Sequence, residues 1–126
     1  MTIKEVSEKY DLTPDTLRYY EKIGLIAKVP RNKSGIRNYG EKEEKRIEFI
    51  KCMRSSGVEI EVLSQYLKYL EMGKETLGAR KALLEEQRTK LLAKEKSIQD
   101  TIEKLNYKIG LYEEIEQGKR KNFWEE

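Results

Sequence analysis

The 126-residue chain has no histidine and a single cysteine, Cys52. Without imidazole the usual general base is missing, and a tight zinc or copper site within one chain is hard to build. A lone thiol excludes an intrachain disulfide. Long apolar stretches are lacking too, since no run approaches the roughly 18 residues a membrane span needs. The opening MTIKEVSEKY carries no signal-peptide core. No candidate nucleophile has a recognisable base beside it. The expectation is a cytoplasmic protein that is not an enzyme and has no metal, no cofactor and no membrane partner.

Charge is what the chain has in abundance. Asp, Glu, Lys and Arg make up 39% of it, too much for a chain that is all core, so one small globular unit plus an elongated element is expected. The net charge of +3 is unevenly placed: residues 1–70 hold 14 basic against 11 acidic residues, and residues 71–126 hold 12 of each. Between Arg18 and Arg37, six basic residues face one acid, Glu21. A phosphate backbone would reward that local field.

The organising stretch is TPDTLRYYEKIG, residues 13–24. Thr13 suits an N-cap, Pro14 the first helical position, Asp15 the positive end of the helix dipole and Gly24 the left-handed position beyond the last turn. Leu17, Tyr20 and Ile23 share one face, which leaves Asp15, Thr16, Arg18, Tyr19 and Lys22 to look outward. Ahead of it, Thr2 and Glu5 have capping-box spacing, predicting a first helix to about Lys9. Tyr10 to Leu12 then form a turn in which Asp11 can go left-handed. Two short helices joined this way, the second cationic, make a helix-turn-helix.

Downstream, Leu25 to Tyr39 reads as a short hairpin with basic residues at its tip, a wing carrying Arg31, Lys33 and Arg37. A third helix is expected over 41–56 with Ile47, Phe49, Ile50 and Met53 inward, and a fourth continues through Ile60, Leu63, Leu67 and Leu70 to Gly73. From about Thr76 the pattern becomes a heptad. Leu77, Leu84, Leu91, Ile98, Leu105 and Tyr112 recur every seven residues, and Ile102 and Ile109 fill the second seam position. A coiled coil some 55 Å long, hence a homodimer, is the expectation, with strand direction left open. Gly118 ends the pattern. Phe123 and Trp124 in the tail either pack back on the dimer or stay disordered. The expected divisions are a DNA-binding domain at 1–72, a dimerisation helix at 73–117 and a tail at 118–126.

TLRYYEKIGLI, the wing pattern R-x-x-x-G-I-R-x-Y from Arg31 to Tyr39, FIKCMRSSGVEIEVL and the closing heptads together resemble the MerR family of bacterial transcription regulators. The resemblance implies a mainly α protein: a winged helix-turn-helix domain followed by a long antiparallel dimerisation coiled-coil helix. It further implies an activator whose dimer binds an inverted repeat in double-stranded promoter DNA. Distorting an overlong spacer lets RNA polymerase engage both promoter elements, so the polymerase is reached through the promoter. Carried across, Asp15, Thr16 and Arg18 would lie at the major groove, while Tyr19, Tyr20, Arg31, Arg37 and Arg54 would hold phosphates, with Lys33 at the wing tip. Asp15 departs from the family pattern; it either accepts from a cytosine amine or acts only at the helix end. Tyr20 by its spacing fits the core equally well.

For the signal, the chain lacks the clustered cysteines of metal-responsive members and is too short for a large effector domain. The surroundings of Cys52 are similar to those in the aldehyde- and thiol-stress-responsive branch, implying that Cys52 senses reactive electrophiles. On a helical wheel Cys52 flanks Phe49 and Met53, which predicts a half-buried thiol. Lys45, Lys51 and Arg54 favour its thiolate, while Glu48 and the negative helix end oppose it. A lone cysteine packed as a small apolar filler is the other reading. Two alternatives stand beside this one: a regulator whose inducer is a small molecule held without a covalent bond, and a coiled-coil interaction protein whose basic front end is incidental.

Overall fold

Thr2 opens the first helix, α1 (Ile3–Tyr10), by accepting from Glu5 N at 3.2 Å, while Glu5 Oε1 accepts from Thr2 N at 3.0 Å. This reciprocal cap satisfies two backbone donors that the helix itself leaves orphaned. Asp11, at φ 53° and ψ 48°, ends α1 in the left-handed region. The second helix, α2 (Pro14–Lys22), starts from Thr13, whose hydroxyl accepts from Thr16 N at 3.1 Å. Gly24 follows at φ +78°, a conformation that a Cβ would strain. These are contacts of a computed structural model, which describes residues 1–121.

The third helix, α3 (Glu41–Ser55), the fourth, α4 (Ile60–Met72), and the fifth, α5 (Leu77–Glu116), complete the set. Acidic residues Glu41, Glu43 and Glu44 occupy the first turn of α3, where the helix dipole favours them. Val6, Leu17, Leu25, Ile26, Ile47, Ile50, Leu63 and Leu67 make one buried core, so α1 to α4 and the loop after α2 all contribute to it. Phe49 and Tyr66 pack ring to ring at 5.4 Å, joining α3 to α4 at the core margin. Ile23, expected inward, is 36% exposed because α2 has already ended and Ile23 sits in cap geometry; Leu25 and Ile26 fill the core instead.

The segment after α2 is a wing of minimal pairing. Among the described residues there is no strand, only an antiparallel bridge between Arg31 and Arg37. Asn32 Oδ1 accepts from Ser34 N and Ile36 N, closing the tip turn, and Asn38 N donates to Pro30 O at 2.7 Å. Pro30 has no N–H to return, so the ladder cannot extend at its base. Tyr39 N donates to Met1 O at 2.7 Å, fastening the wing base to the segment ahead of α1.

The chain divides into two compact units, Met1–Gln87 and Arg88–Glu126. In the first, Gly73 at φ +93° turns the chain between α4 and α5. Arg80 Nε donates to Thr76 Oγ1 at 3.1 Å and Nη2 to Gly73 O at 2.9 Å, bracing that elbow. Helix α5 is 40 residues long. Leu77, Leu84, Ile98, Ile102, Leu105, Ile109 and Tyr112 on it are between 40% and 61% exposed, and Leu91 is half-buried. Among the described residues no helix is long and apolar enough to cross a membrane. Phe123 and Trp124 lie outside the described residues.

Candidate nucleic-acid interface

Leu17 and Tyr20 anchor α2 in the core, which leaves Asp15, Arg18, Tyr19 and Lys22 exposed. Arg18 and Tyr19 are each 49% exposed. Asp15 is nearly fully exposed and accepts from Arg18 Nη1 at 3.0 Å. An exposed pair like this adds little stability; its effect is to hold the guanidinium beside the helix start. Thr16 Oγ1 lies 2.8 Å from Thr13 Oγ1, so its hydroxyl shares in the cap. The ring of Tyr20 is in the core, at 7% exposure. That narrows the phosphate-holding role expected for it to whatever this margin leaves, since its three-residue spacing from Leu17 commits the ring to packing.

The wing supplies the second set of cations. Arg31 Nη1 donates to Gly35 O at 2.7 Å across the tip turn, and Lys33 is exposed there. Arg37 is less free than expected: its Nε donates to Glu21 Oε1 at 2.9 Å, with side chains 23% and 13% exposed. This ion pair ties the returning arm of the wing to α2. Tyr39, two residues on from Arg37, is 1% exposed, and its hydroxyl ionisation is pushed up by burial, with smaller influences from the charges of Arg37, Glu21, Arg18 and Arg31. Arg31 and Arg37 thus face each other across the wing bridge, and Arg37 reaches α2 through Glu21. Sequence reasoning passed over Glu21 and Tyr39, although a lone acid among six bases already asks for a partner.

Arg54 and Cys52 stand apart from this group. Arg54 is exposed and its Nη1 donates to Val58 O at 3.0 Å, bracing the turn after α3. No hydrogen bond or ion pair among the described residues links either residue to α2 or the wing. Cys52 is exposed, which corrects the half-buried thiol read from the wheel. It occupies the last turn of α3, where Ile47 and Ile50 have already taken the core positions. Among the described residues no acidic or thiol cluster could hold a metal ion.

Comparison with known proteins follows the same lines. The family model described as MerR HTH family regulatory protein matches residues 1–70. The HTH-type transcriptional regulator AdhR of Bacillus subtilis is 48% identical over 92 residues, covering 73% of this chain and 66% of AdhR. Among solved structures, a MerR family transcriptional regulator from Listeria monocytogenes is 42% identical with a TM-score of 0.85, covering 90% of this chain and 86% of that one. HiNmlR, a MerR family regulator lacking the sensor domain and solved bound to promoter DNA, superposes with a TM-score of 0.82 over 92% of each chain. At 23% identity that likeness is one of fold.

Proposed function

The chain belongs to the MerR helix-turn-helix family of regulatory proteins, and we propose that it binds an inverted-repeat promoter operator as a homodimer and activates by distorting the spacer. The observation that carries this reading is the outward face of α2, with Arg18 and Tyr19 exposed beside a wing bearing Arg31, Lys33 and Arg37. Phosphate contacts from such a face fix register, and groove contacts near the start of α2 read sequence. Twofold pairing of half-sites needs a twofold protein, and the exposed apolar stripe on α5 is suited to an antiparallel partner helix. Bending the duplex brings more of its backbone against the protein, which offsets the cost of the bend. The family match sets aside a coiled-coil interaction protein with an incidental basic end.

Within the cytoplasm the signal is a reactive electrophile such as an aldehyde, received at Cys52. Support comes from the 48% identity to AdhR and from the exposure of the thiol, which leaves it open to reagent. A covalent adduct on the last turn of α3 would press on the turn leading into α4 and shift a two-state equilibrium of the DNA-bound form. The test is transcription from a matched inverted-repeat promoter, with and without a reactive aldehyde, for wild type and Cys52→Ser at equal DNA occupancy. Induction lost only in the variant is the expected result. Equal induction in both would overturn the thiol mechanism in favour of a reversibly bound inducer, and no induction in either would overturn the aldehyde as signal.

A further inference from the structure

Glu21 is the one acid between Arg18 and Arg37, and it sits on α2, the helix proposed above to present its outward face to DNA. A carboxylate in that place repels phosphate, so on charge alone the protein would bind more tightly without it. Its geometry points the other way. Glu21 Oε1 takes Arg37 Nε at 2.9 Å in a largely shielded pair, joining α2 to the returning arm of the wing. No other side-chain hydrogen bond among the described residues links the wing to α2. The wing's backbone bonds close its tip and fasten its base to Met1, but its ladder is one bridge long, with Pro30 unable to donate. The two terminal nitrogens of Arg37 have no other hydrogen-bond partner among the described residues. A guanidinium is a rigid planar fork, so fixing its Nε fixes the direction in which the remaining donors point.

We infer that Glu21 is a positioning residue for DNA binding: it holds the wing against α2 and aims the free edge of Arg37 at a backbone phosphate. This rests on the DNA-binding reading above. It predicts that deleting a negative charge from a DNA-binding face weakens binding to DNA.

The test uses the full chain and the duplex that the wild type enriches from a random DNA pool. Dissociation constants and the slope of log affinity against log salt are measured for wild type, Glu21→Ala, Arg37→Ala and the double variant. Glu21→Ala should lose about tenfold in affinity and about one phosphate's worth of salt slope. The double variant should bind no more weakly than Arg37→Ala alone, because the two residues act as a unit. Wild-type or tighter binding by Glu21→Ala would overturn the inference, leaving Glu21 a repelling charge only. If Glu21→Ala does not fold, Glu21→Leu takes its place, with similar bulk and no acceptor for Nε. About tenfold weaker binding is expected from it, and wild-type or tighter binding would overturn the inference. A wild type that enriches no sequence and binds without salt dependence would overturn the DNA-binding reading, and the role of Glu21 with it.

Discussion

Tyr39 is 1% exposed, and its hydroxyl is the buried side-chain polar atom left without a partner among the described residues. Removing a buried polar group that has no hydrogen bond relieves a desolvation cost. Tyr39→Phe should therefore leave the urea midpoint unchanged or raise stability by up to about 1 kcal/mol; a loss of that size would mean the hydroxyl is bonded. Burial, with Glu21 adding to it and the arginines opposing, raises the ionisation of Tyr39 above its ordinary value of 10.0. The folded chain thus keeps this proton longer than the unfolded one, and stability falls as pH climbs past 10.0 towards the folded value. Tyr39→Phe should lack that alkaline slope. Single residues were the scale least legible in the sequence. A helical wheel assumes an unending helix with a known partner, so it placed Ile23 inward and Cys52 half-buried, although α2 stops at Lys22 and the core at α3 is filled by Ile47 and Ile50.

Helix α2 depends on its start. Thr13 Oγ1 takes Thr16 N at 3.1 Å, so Thr13→Ala should lower stability by about 1 kcal/mol. Equilibrium unfolding of the two proteins measures this directly, and an equal midpoint would mean that water replaces the cap without loss. Elements were well legible because their signals are local: Thr2 with Glu5, Thr13 with Pro14, and glycines at 24, 57, 73 and 118 in positive φ just beyond the helices. The heptads likewise gave α5, whose side-chain period is a property of the helix itself. The wing was legible only as a loop returning on itself. Its alternation suggested strands, but strand pairing is settled by donors on both arms, and Pro30 removes one. The Glu21 bond that replaces that restraint joins residues 16 apart, beyond the reach of any local rule.

At the scale of the whole molecule, polar side chains add surface ties to the apolar core that α1 to α4 share. Glu44 on α3 accepts from Lys9 at 2.7 Å and from the Tyr10 hydroxyl at 3.1 Å, binding α1 to α3, and Lys51 Nζ donates to Tyr10 O beside them. The Lys9 bond leads in holding the Glu44 carboxyl below its ordinary value of 4.5. Its contribution is thus present above 4.5 and is lost as pH falls through the lower folded value. Lys9, raised by the same partner, surrenders its share only above 10.5. Urea midpoints between pH 7 and pH 3 should fall more steeply for wild type than for Glu44→Gln, and parallel curves would remove the pair from the acid response. The outward stripe on α5 has a different kind of consequence, one of dosage. If only paired chains engage both half-sites, then below the concentration at which the long helices associate, operator occupancy follows the square of the chain concentration. Halving expression in that range would leave about a quarter of the bound promoters, so the response is steepest where the protein is scarce.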